Sequence, residues 1–215
     1  MSSHHIVRDE QEPALLIAEP SALQLEFVES LLEWSPTVVV LEPALREVLK
    51  WGIKIDVVVA NMASLEELKP RLVEQSPVKL LGFEAGDLLN NAFIFLTDHN
   101  YPAVNVMADI YHTRVFDLAR SFQTLLDTVV YFNDQKWTYM KSGRYRKWVT
   151  TGHHFGIHPV VANTFFKSEG FYSDWDNEML LEPIELVAEI TGQVQLETNA
   201  KPLWLVEEVQ TDIYK

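Results

Sequence analysis

The sequence has no cysteine among its 215 residues, which excludes a disulfide framework, a thiolate nucleophile and a thiol zinc site. It is also short of positive charge: 17 Lys and Arg stand against 31 Asp and Glu, a net charge of −14. Nucleic acid and anionic membranes are gripped through clustered Lys and Arg, so neither is expected as a partner. Neutral, cationic or metal-bridged ligands are the alternatives. No run of about 18 apolar residues occurs, and the opening Met1-Ser2-Ser3-His4-His5 lacks the basic and apolar regions of a secretion signal. A cytoplasmic protein is expected. Glycine is scarce where it would matter for phosphate binding, since none of the eight precedes Gly52. A phosphate cradle needs converging backbone N–H groups and usually glycines that let the chain approach closely.

What remains is ordinary globular composition, 47% hydrophobic and 22% charged, in a chain long enough for one sizeable core or two small ones. From Ala14 to about Val130, short apolar runs alternate with helical patterns, the signature of a parallel sheet covered by helices. Strands are expected at Ala14–Ala18, Thr37–Leu41, Asp56–Ala60, Val78–Leu81 and Ala103–Met107. Leu23, Phe27, Val28, Leu31 and Leu32 form a helical stripe with Ser21 and Gln24 as its capping pair. Further helices are expected from Asp87 to about His99 and from Val115 to Val130. After about Asn133 the pattern becomes extended segments, at Trp137–Met140, Lys147–Thr150, His153–Pro159, Thr164–Lys167, Pro183–Thr191, Gln193–Glu197 and Leu203–Glu208. Their aromatic and β-branched residues indicate an all-β sandwich or barrel. The expected organisation is an α/β domain over residues 1–132, a Rossmann-like parallel sheet with helices, followed by a β domain over 133–215.

The stretch from Trp51 to Ser64 organises the first part. Gly52 reads as a left-handed helix cap, Val57-Val58-Val59 as a buried strand, and Ser64 with Glu67 as a capping box for the next helix. Ligands collect at such strand-loop-helix corners in open α/β sheets. The segment Gly52-Ile53-Lys54-Ile55-Asp56-Val57-Val58-Val59-Ala60-Asn61-Met62-Ala63-Ser64 resembles the thiamine pyrophosphokinases, which carry a phrase like Gly-Ile-Lys-Pro-Asp-Leu-Val-Ile-Gly-Asp-Phe-Asp-Ser. Asn61 and Ala63 stand where that family places two magnesium-binding aspartates, and Ala60 where it places a glycine.

The resemblance implies an α/β domain followed by a β domain, a homodimer with the thiamine pocket between subunits, and magnesium and ATP as the reaction's partners if the chain is active. It implies, equally, a degenerate nucleotide site. The first two corners read Glu19-Pro20 and Glu42-Pro43; proline removes a donor and glutamate repels phosphate, although a proline there also simply starts a helix. The positions expected to face the nucleotide are Glu42, Asn61, Ser64 and Asp109. Asp87 matches the family's fourth-corner aspartate, with Glu84 as a second carboxylate for metal; an aspartate there is also a plain N-cap. Arg114 stands near the family's arginine, either gripping phosphate or starting an exposed helix. Asp87 and Arg114 are the catalytic candidates. Ser173-Asp174-Trp175-Asp176-Asn177-Glu178 loosely resembles the thiamine-pocket stretch, so Trp175, Asn177 and Glu178 are substrate candidates, the indole stacking on a cationic ring or simply packing in a turn. The alternative function is non-catalytic binding of a cationic small molecule or a protein.

His153-His154-Phe155-Gly156-Ile157-His158 owes nothing to the family. On a strand His154 and His158 share a face roughly 13 Å apart, too far to chelate one ion unless Gly156 bends the strand as a bulge. Satisfied sheet histidines are the other reading. Several large aromatics in the second part, among them Trp148, Phe165, Tyr172 and Trp204, provide independent support for a dimer through apolar surface that a small β domain cannot bury alone.

Overall fold

The computed structural model describes residues 12–84, 86–109, 114–141, 143–199 and 201–209. The opening Met1 to His5 and the Tyr111-His112-Thr113 part of the fifth corner lie outside them. The chain divides into two compact units, Met1–Asn133 and Asp134–Lys215.

The first unit is built on six parallel strands, β1 (Ala14–Ile17), β2 (Val38–Leu41), β3 (Val57–Asn61), β4 (Lys79–Phe83), β5 (Ala103–Met107) and β6 (Asp127–Phe132), in the order β4-β3-β2-β1-β5-β6. Between them run α1 (Leu25–Leu32), α2 (Glu42–Val48), α3 (Leu65–Arg71), α4 (Leu88–Asp98) and α5 (Arg114–Ser121). The central strands Leu15-Leu16-Ile17, Val38-Val39-Val40 and Val57-Val58-Val59 are buried on both faces, which is why they read as unbroken apolar runs. The strand order turns back at β1, so the crevice between the carboxyl ends of β1 and β5 is the sheet's switch point.

Three expectations are corrected here. The helix over 115–130 stops at Ser121, and its second half is strand β6, pairing Val104 with Thr128 and Val106 with Val130. Val115, Leu118, Ala119, Phe122 and Leu126 keep helical spacing, but the β-branched and aromatic run Thr128 to Phe132 favours strand, and β5 offers an edge to pair with. Ser64 and Glu67 form no capping box: Ser64 is αR within a 3-10 turn, Met62–Ser64, that runs straight into α3 with no side-chain cap. A box needs an extended N-cap, and that conformation falls at Asn61 (φ −67°, ψ 140°) instead. Nor do Ser21 and Gln24 form a capping pair: Gln24 is itself the extended N-cap of α1, with no side-chain cap bond, and Glu19 caps a 3-10 turn at Pro20–Ala22 by accepting from the Ser21 amide. Gly52 does take the left-handed conformation, φ 68°.

The second unit holds β7 (Gln135–Met140), β8 (Gly143–Val149), β9 (His154–Pro159), β10 (Thr164–Glu169), β11 (Glu178–Leu180), β12 (Ile184–Val187), β13 (Gly192–Thr198) and β14 (Leu203–Glu208). Their pairings are antiparallel, in the orders β12-β9-β14-β7 and β11-β10-β13-β8. Residues alternate along β10, with Thr164, Phe166 and Ser168 buried and Phe165, Lys167 and Glu169 exposed. Both strand sets feed one core containing Phe155, Phe166, Leu196 and Leu205. Gly156 is not a bulge: it pairs in unbroken register with Val206 on one side and Glu185 on the other. Its role is close approach, since a Cβ there would lie 3.2 Å from the Val206 side chain.

Candidate functional site

The carboxyl ends of the parallel strands carry the sequence's candidates, and local contacts decide what each can do. At the switch point, the Ala18 and Glu19 amides both donate to the Met107 carbonyl, at 2.9 and 3.0 Å. Glu19 accepts from the Ser21 amide and hydroxyl at 3.1 and 2.8 Å. Backbone donors that could cradle a phosphate are therefore engaged within the protein. Asp109 and Glu19 line a small cavity there, about 140 Å³.

The next two corners are joined. Glu42, the first residue of α2, accepts from the Asn61 amide at 2.8 Å and from Asn61 Nδ2 at 3.1 Å, and Ser64 adds a side-chain hydrogen bond. Burial pushes the Glu42 carboxyl up, but the Ser64 and Asn61 donors outweigh it and hold the group below its ordinary range. Three of the four nucleotide-side candidates thus meet around one carboxylate. An internal anion sits on the donors of the third corner.

The two catalytic candidates also meet. Asp87 caps α4, accepting from the Asn90 amide at 3.2 Å, and its other oxygen accepts from Arg114 Nε at 2.6 Å. Burial raises the Asp87 carboxyl, but Arg114 and the helix amides hold it below the usual value. Glu84, just past β4, is exposed. Among the described residues no group of three or more His, Asp or Glu side chains is placed to hold a metal ion.

No protein-family model and no curated protein matches this sequence. Solved structures do. The thiamin pyrophosphokinase of Geobacillus thermodenitrificans superposes with a TM-score of 0.72 over 93% of this chain and 98% of its own, at 12% identity. That of Bacillus subtilis gives 0.70 over 92% and 98%, at 10% identity, and the yeast enzyme 0.71 over 95% and 88%, at 9% identity. The fold is that of the thiamin pyrophosphokinases. On that fold the Trp51 to Ser64 corner forms as a helix end, a strand and a 3-10 turn, while Asn61 offers a carboxamide and Ala63 no polar side chain.

In the second unit, Trp175 is half-buried. Its ring lies 6.4 Å from that of Phe166, and its backbone brackets Ser168 through bonds of 2.8 and 2.9 Å. Asn177 is left-handed at φ 59°, and Glu178 opens β11, a strand not anticipated from sequence. Asp176 pairs with Lys167 at 3.0 Å. The three histidines separate: His154 is exposed, His158 packs 4.8 Å from the Trp137 ring, and His153 lies 3.0 Å from Glu207. Burial pushes His158 down, partly offset by Glu185. Glu207 is buried and also takes Lys147 and, at 3.4 Å, the Tyr145 hydroxyl. That cluster escaped the sequence reading. Its one signal is the in-facing alternation of Leu203, Leu205 and Glu207, which puts a carboxylate on the core side.

Proposed function

We propose that this chain uses the thiamin pyrophosphokinase fold, a Rossmann-like domain followed by a β-sandwich domain, to bind a ligand and not to transfer a pyrophosphoryl group. The observation that supports this is the Glu42 contact. A triphosphate approaching the third corner meets a carboxylate already seated on the Asn61 and Ser64 donors, and repulsion there opposes the charge that phosphoryl transfer must stabilise. The residues present do not fit the magnesium and ATP that the fold implies. Magnesium needs a near-octahedral oxygen shell anchored by one or two carboxylates, whereas Asp87 is held by Arg114 and Glu42 by Asn61.

On this reading the ligand is a thiamine-like cation, drawn by the chain's excess of acidic groups, and Trp175, Asn177 and Glu178 are the residues assigned to it. The same reading carries a cytoplasmic homodimer. The test is to incubate the chain with thiamine, ATP and magnesium, assay for thiamine diphosphate, and titrate thiamine calorimetrically with and without magnesium and ATP. The expected result is no product and the same saturable heat in both titrations. Magnesium-dependent product that vanishes in Asp87→Asn would make the chain an enzyme. Absence of heat in both titrations would retire thiamine as the ligand.

A further inference from the structure

The amino ends of β2, β3 and β4, at the opposite edge of the sheet from the corners above, surround a cavity of about 720 Å³. That is within the ~300–1,000 Å³ of small-molecule sites, which pair mostly apolar walls with a few convergent polar groups. The walls here are Leu32, Ile53, Val57 and Phe95.

The polar inventory defines the ligand. His99 Nδ1 lies 2.8 Å from the Phe95 carbonyl, which can only accept, so Nδ1 carries the proton. His99 Nε2 is then an acceptor, and Lys79 Nζ donates to it across 3.1 Å. Both nitrogens of His99 are spent and so is one proton of Lys79. The ammonium also lies 4.8 Å from the centroid of the Phe95 ring. Lys54, the other cation of the cavity, places its amine on the carbonyls of Ile55, Gln75 and Pro77. Thr37 accepts from the Tyr101 hydroxyl at 2.9 Å and keeps its own proton to donate. Asp56 Oδ2 takes the Val38 amide at 2.9 Å, so a carboxylate also lines the cavity.

One ammonium with protons to spare, the hydroxyls of Thr37 and Ser35 and a nearby carboxylate suit a single negative charge. A phosphate dianion would need more cations or a nest of amides. We propose that this cavity binds a small apolar monocarboxylate, its carboxylate on Lys79 and its apolar body against Leu32 and Ile53. The site stands independently of the binding reading above, because none of its residues belongs to the carboxyl-end corners.

Calorimetric titration of the full chain with 3-phenylpropionate and with its neutral amide tests this. The acid should bind saturably and the amide about ten-fold or more weakly, the worth of a charge-assisted hydrogen bond. Lys79→Gln should bring the acid down to the affinity of the amide while leaving the amide unchanged, and Ile53→Trp, which fills the cavity, should weaken both. The comparison of acid with amide needs no variant and so survives any folding defect. No saturable heat from the acid at about 10 mM, equal affinity for acid and amide, or binding indifferent to Ile53→Trp would each overturn the proposal.

Discussion

Asp87 makes two contacts that substitution can separate. Asparagine at this position still accepts from the Asn90 amide, as a good N-cap does, but loses the charge facing Arg114; alanine loses both. The ion pair is substantially exposed, 54% at Arg114 and 35% at Asp87, so screening leaves it little net worth. Asp87→Asn should therefore cost under about 0.5 kcal/mol and Asp87→Ala about 1 kcal/mol in urea denaturation. Equal costs would mean that the ion pair, not the cap, is the main contribution. Because the folded carboxyl is held below its ordinary value of 3.8, its stabilisation is present above that pH and fades as pH falls through the folded value. Tyr145 works in the other direction. Burial, reinforced by Glu207, pushes its hydroxyl well above the ordinary 10.0. A raised folded value gives stability that is complete below pH 10 and is lost as pH rises beyond it. Tyr145→Phe should accordingly show a flatter decline in stability than the parent between about pH 10 and 11, measured by denaturant melts at each pH. Identical slopes would clear Tyr145 as a source of alkaline lability.

Among elements, β6 shows both what the sequence discloses and what it hides. The strands β1 to β5 were legible because parallel strands read as short apolar runs bounded by turn residues, and Gly52 was legible because a glycine just past a helical stripe commonly takes the left-handed cap. β6 was not, because the apolar spacing of α5 continues without interruption into Leu126 and Val130, and only the partner strand β5 decides against helix. The candidate residues Glu42, Asn61, Asp87 and Arg114 were visible one by one. Their contacts were not, since Glu42 reaches a residue 19 positions away, Arg114 one 27 away, and His153 a carboxylate 54 away. Strand β6 also contains a testable flaw. Thr128 is 3% exposed, and its Oγ1 has no hydrogen-bond partner among the described residues. Valine has the same shape, keeps the β-branch and leaves no orphaned hydroxyl, so Thr128→Val should stabilise the chain by about 1 kcal/mol in chemical denaturation. Destabilisation by a comparable amount would reveal a bonded hydroxyl, such as one held by a buried water.

For the whole molecule, the imbalance of charge governs two responses to salt that run in opposite directions. With 31 acidic and 17 basic residues the chain carries −14 at neutral pH, so self-repulsion opposes the compact state. Several cations also sit in short-range helix pairs, Lys50 with Glu47, Lys69 with Glu66 and Arg71 with Glu67, and salt weakens those too. Exposed pairs contribute at most about 1 kcal/mol each and often nothing measurable, whereas unpaired acidic groups repel over the ~30 Å Debye length of 0.01 M salt and not over the ~8 Å of 0.15 M. Relief of repulsion should win: raising sodium chloride across that range at pH 7 should raise the melting temperature, and the rise should disappear near the isoelectric point. Binding of a cation should respond the other way. If thiamine is drawn by the same excess of carboxylates, its affinity falls as salt rises while the protein becomes more stable. A melting temperature that drops with salt at pH 7 would mean that the surface ion pairs outweigh the net charge, and would remove the long-range attraction on which the cationic-ligand reading leans.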